Sequence, residues 1–138
     1  MNIKNYKKAI WQILLVSLWI NIFETLRWML FAKPEIDMHF KAANLVLPNE
    51  PINNLLWLIW GIIIAVMIFI VSKKFKVLQT TFIVWITVYI MHWIALWNMA
   101  VLPINILWLA VPLTFINVLV GALISKYFQS KEKIQKQN

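Results

Sequence analysis

The sequence predicts an all-α integral membrane protein: a bundle of four transmembrane helices with both termini on the cytoplasmic side. Three observations predict it. The 138-residue chain is 62% hydrophobic and 13% charged, against roughly half and a quarter in a soluble domain. Its apolar residues gather into four runs of about 20 residues or more, the length of helix that crosses a hydrocarbon core of about 30 Å. Its basic residues fall at the edges of those runs instead of gathering on one face.

The first run, 9–31, follows Lys4, Lys7 and Lys8. A charged start followed by apolar residues is also how a signal peptide begins, but this stretch is too long and no small-residue cleavage site follows, so it reads as an uncleaved span. The second run, 52–72, has no polar side chain from 55 to 71. Runs 77–99 and 101–124 are joined by almost nothing, which predicts a tight helical hairpin. Pro103 would sit in the first turn of the fourth helix, where its missing N–H is harmless. Between the first two helices, 32–51 is expected to be an outer loop, and 125–138 a basic cytoplasmic tail.

Lysine and arginine counts set the orientation. Lys4, Lys7 and Lys8, then Lys73, Lys74 and Lys76, then Lys126, Lys131, Lys133 and Lys136 all fall on one side of a four-span chain. The opposite side holds Lys33 and Lys41, offset by Glu35, Asp37 and Glu50. Trp28, Trp57, Trp60, Trp93, Trp97 and Trp108 lie towards that opposite boundary, as an interfacial belt does. The tail reads as a solubilising end that can graze anionic headgroups at about 1 kcal/mol per basic residue. Lysine- and isoleucine-rich usage points to a low-GC bacterium, hence a plasma (inner) membrane.

Composition also excludes functions. There is no cysteine, so disulfides, thiolate metal sites and cysteine nucleophiles are out. Gly61 and Gly121 are the only glycines, too few for a phosphate-cradling loop. The net charge of +8 is spread along run edges and lacks the footprint of a nucleic-acid binder. No cofactor is predicted.

Ionisable groups at membrane depth cost about 2.5–3.5 kcal/mol each on insertion scales, so they face the bundle interior and often mark function. Glu24, Arg27 and His92 are such groups. Ser17, Asn21 and Glu24 recur at helical spacing and form one stripe, and Arg27 is close enough to pair with Glu24 along the helix. Glu24 and His92 each lie about 15 residues from the cytoplasmic start of their helices, or about 22 Å up. Asn105 enters from the other side to a similar level. The expectation is an outward-opening polar pocket lined by Glu24, Arg27, His92 and Asn105, with Asn21 on the same stripe. The plainer reading is a structural polar cluster in which Arg27 snorkels to the headgroups.

Other features have a structural reading beside a functional one. In an extended loop, Glu35, Asp37 and His39 would share a face suited to a borderline divalent metal, against an ordinary solvated loop. Gly61, Ala65, Ala110, Thr114 and Gly121 make small-residue faces for close helix approach, within the chain or in a homo-oligomer. Pro112 should kink the fourth helix. Transport or small-ligand binding through the pocket, as an oligomer, is the favoured function. An accessory or immunity-type subunit of a larger membrane complex is the alternative. An enzyme using His92 and Glu24 as an acid–base pair comes last, since no nucleophile accompanies them.

Overall fold

A computed structural model describes the backbone of residues 3–137 and the side chains of 6–131. The side chains of Lys4, Lys133 and Lys136, three of the orientation markers, lie outside that range. The described residues are helical, without a strand, and four helices are long and apolar enough to cross a membrane. Helix α1 is an α-helix over Ile3–Arg27, a wider π turn over Trp28–Ala32 and a further α-helical stretch over Lys33–Ala42. Helix α2 is Pro51–Ser72. Helix α3 is α-helical over Val77–Trp85 and Met91–Asn98, with a π turn over Ile86–Ile90 between. Helix α4 opens with a 3₁₀ turn, Ile104–Ile106, and runs on through Leu107–Gln137.

Three boundaries differ from the sequence expectation. The expected loop 32–51 is helical over Lys33–Ala42. Pro34 cannot donate to the carbonyl one turn back, and its ring would clash there. The π turn just before it widens the helix, with the Lys33 N–H reaching Trp28 instead, and the chain continues helical. It stops at a Schellman motif: Asn44 takes a left-handed φ of 55°, and the Leu45 N–H bonds the Phe40 carbonyl, a role Asn fills more readily than most residues. Secondly, α3 ends at Asn98 in the same motif around Ala100, so Pro103 precedes the 3₁₀ turn instead of lying inside the helix. Thirdly, the expected tail is a helical continuation of α4, as its Lys, Gln and Glu content permits.

The exterior is apolar and several polar side chains are buried. Leu14, Leu18, Ile22, Ile63, Ile70 and Phe82 point outwards, while Ser17, Ser72, Thr80, Thr81, Thr114, Asn117 and Ser125 are buried. An apolar outside, and polar groups buried beside an apolar core of Val16, Ile20, Ile64, Ile68 and Val118, are stable where the solvent is hydrocarbon and unpaired polar groups must find partners within the bundle. The serines do so at the lysine-bearing end. Ser72 and Ser125 share a 2.8 Å hydrogen bond, and the Gln129 amide donates to both.

Helices α2 and α4 each pack against all three others, placing α1 and α3 on the bundle's diagonal. Small residues allow this closeness. A methyl group on Gly61 would come within 2.5–2.6 Å of the Asn21 side-chain amide, and one on Gly121 within 3.0–3.5 Å of Ile68, Ile20 and Val16. Ala65, Ala110 and Thr114 are buried in the same bundle. These small residues are thus buried within one chain.

Candidate functional site

The polar centre of the bundle is built around Glu24, near the end of the regular part of α1. One carboxylate oxygen, Oε2, accepts from Arg27 twice, from Nη2 at 2.6 Å and Nε at 3.2 Å. The other, Oε1, accepts from the Tyr89 hydroxyl at 2.8 Å and the Asn117 amide at 2.9 Å. A carboxylate offers about four acceptor sites, and here four donors fill them. The donors arrive from α1, α3 and α4, and the Tyr89 bond crosses the diagonal between helices that otherwise approach little.

Each donor is itself fixed. Tyr89 lies in the π turn of α3 and is 1% exposed, with Trp60 edge-on to its ring at 5.5 Å. Asn117 is fully buried, and the Trp19 indole N–H donates to its backbone carbonyl at 3.1 Å. One turn earlier on α4, Thr114 accepts from the Trp85 indole at 3.0 Å and donates to the Ala110 carbonyl at 2.7 Å. Both π turns adjoin the network: Arg27 immediately precedes the first and Tyr89 lies within the second. Such turns re-aim side chains and occur often at functional sites.

Arg27 faces two ways. Its Nε/Nη2 edge is taken by Glu24, while the residue also lines a cavity of about 310 Å³ between the far end of α1 and the start of α4. The walls are chiefly apolar, with Leu30, Phe31, Leu109 and Leu113 among them, and Glu35 and Asn105 add polar groups. A second hollow of about 390 Å³ shares Glu35 and Asn105 and runs beneath Met38 and His39 to Leu102 and Ile104. Glu24 and Arg27 are 15% and 16% exposed at the side chain, so the pair sits at the inner limit of the cavity.

The expected site residues thus divide. Arg27 and Asn105 share the cavity, and Glu24 stands behind Arg27 without lining it. Asn21 turns back on its own helix, its amide donating to the Ser17 carbonyl and hydroxyl, and it packs beneath Gly61 on α2. His92 is half-buried against Trp60, ring centroids 6.1 Å apart, and makes no hydrogen bond to Glu24. Tyr89 and Asn117 complete the site, although neither is among the residues the sequence singled out. Their signal was the demand for donors that a buried carboxylate makes on neighbouring helices.

The alternation of Glu35, Asp37 and His39 does not make a ligand face. They lie on a helix, where residues two apart point about 200° away from each other. Asp37 pairs with Lys33 at 2.6 Å, and the His39 Nε2–H donates to the Ala100 carbonyl at 3.1 Å, tying the end of α1 to the α3–α4 connection. No group of three metal-ligating side chains occurs among the described residues.

Family models, curated proteins and solved structures give no match to this chain. What the site can do follows from its own chemistry. A guanidinium held on one edge, with donors left on the other, presents a fixed cation to an apolar hollow. That arrangement suits an anionic group carried on an apolar body.

Proposed function

We propose that the protein binds a small amphiphile carrying an anionic group in an outward-facing cleft of a bacterial plasma membrane, for transport or for retention there. One observation carries the reading: Arg27 lines an apolar-walled cavity while Glu24, clamped by Tyr89 and Asn117, holds its other edge. Such anchoring fixes the cation before the ligand arrives and reduces the ordering cost of binding.

In this reading both termini are cytoplasmic, because the basic residues gather at one end and the cavity-lining residues lie towards the other. The chain has no cysteine, so a single introduced thiol reports its own side. Val46, 88% exposed, lies in the connection after α1, and Lys131 lies near the opposite end of α4. In intact cells, Val46→Cys should react with an impermeant maleimide, and Lys131→Cys only after permeabilisation. Equal labelling of both in intact cells would refute the orientation.

The binding claim is tested with the whole chain in a neutral maltoside detergent. Dodecyl phosphate at about 100 times its Kd should stabilise the fold by about 2.7 kcal/mol, read as a rise in Tm. Dodecyl trimethylammonium should give no such rise. The double variant Glu24→Gln, Arg27→Gln removes the cation without stranding its partner and should lose the response. A response that persists unchanged in that variant would remove Arg27 from the reading.

A further inference from the structure

We propose that the ligand of this cleft is zwitterionic, its anionic group on Arg27 and an ammonium group on Glu35; this rests on the reading of the cleft as a ligand site. Glu35 is half-buried in the cavity wall and has no ion-pair or hydrogen-bond partner among the described residues. The neighbouring carboxylates differ: Asp37 is paired with Lys33, and Glu24 has four donors. An unpaired carboxylate beside a partly satisfied guanidinium gives the cavity one charge of each sign. A purely anionic ligand would meet Glu35 as a like charge, and a purely cationic one would meet Arg27.

Arg27 and Glu35 are eight residues apart on one helix, about 12 Å of rise, and both line the cavity. The π turn between them underwinds the helix, so that residues which regular winding would splay apart line the same hollow. Leu30 and Phe31 lie between them on α1, and Leu109 and Leu113 come from α4, giving an apolar chain a wall to lie against. An aminoalkyl phosphate on an acyl chain has this pattern; a free aminoalkyl phosphate has the same head group.

Native mass spectrometry of the whole chain in maltoside detergent, titrated with lysophosphatidylethanolamine or lysophosphatidylglycerol, tests the assignment. The wild type should prefer the ethanolamine lipid by about fivefold, the size of one partly screened ion pair. Glu35→Gln should abolish that preference while leaving the glycerol lipid bound at least as well. Lack of preference in the wild type, or a preference that survives Glu35→Gln, overturns the zwitterion. Failure of the underlying site looks different: the Glu24→Gln, Arg27→Gln variant would then bind both lipids as the wild type does. Phosphoethanolamine competing at concentrations comparable to the lipid would mark the free molecule as the ligand. Its failure to compete would mark the lipid.

Discussion

Glu24→Ala should be the most damaging single substitution at the polar centre, lowering stability by about 3–5 kcal/mol, the range for removing one partner of a buried ion pair. Three groups lose their acceptor at once: the Arg27 guanidinium, the Tyr89 hydroxyl and the Asn117 amide. Tyr89 and Asn117 are buried with 1% and 0% exposure, and the Asn117 side-chain oxygen Oδ1 already lacks a partner among the described residues. Arg27 is better placed, because it lines the cavity and is 16% exposed. The loss should therefore fall in the lower half of that range. Glu24→Gln keeps one acceptor oxygen and should be milder, and Tyr89→Phe, which removes a single bond to the carboxylate, milder again at about 1.5–3 kcal/mol. Thermal unfolding of the four proteins in one detergent gives the order. Equal Tm values for Glu24→Ala and wild type would mean that the network contributes nothing to holding the helices together.

How much of this was legible beforehand depends on which physical scale each feature uses. A span is set by length and apolarity along one stretch, so α2 and the body of each other helix stand out in the residues themselves. Ends are set by local exceptions. Pro34 reads as a helix stop, and only the π turn at Trp28–Ala32 shows how the chain passes it. The pairing of Glu24 with Arg27 was legible because it lies within one helix. Tyr89 and Asn117 were not, because which faces of α3 and α4 meet α1 is a property of the whole bundle. His92 was chosen for its charge and depth, but its neighbour one turn earlier, Tyr89, is the one that reaches Glu24.

The second large effect involves no charged group. Gly61→Ala adds one methyl group, and its carbon would meet Asn21 Nδ2 at 2.5 Å, Oδ1 at 2.5 Å and Cγ at 2.6 Å. Those distances cannot be sustained, so either the Asn21 amide or the helix must move. The amide is not free to swing, because it donates to the Ser17 carbonyl at 2.9 Å and to the Ser17 hydroxyl at 3.2 Å. Displacing it gives up those bonds in a half-buried position, while displacing α2 opens the seam that also buries Ile64, Ala65 and Ile68. Overpacking of this kind costs about 1–3 kcal/mol. Alanine's better helix propensity returns up to about 1 kcal/mol, too little to reverse the sign. A double-mutant cycle isolates the cause. Asn21→Ala should be mildly destabilising alone, and in its background Gly61→Ala should become neutral or stabilising, a coupling of more than about 1 kcal/mol between residues in contact. If the two losses simply add, the collision is not what restricts position 61, and the close approach of α1 and α2 has another cause. The ligand-binding response to dodecyl phosphate supplies a further readout: it should survive Asn21→Ala, because that side chain serves the α1–α2 seam and not the cavity.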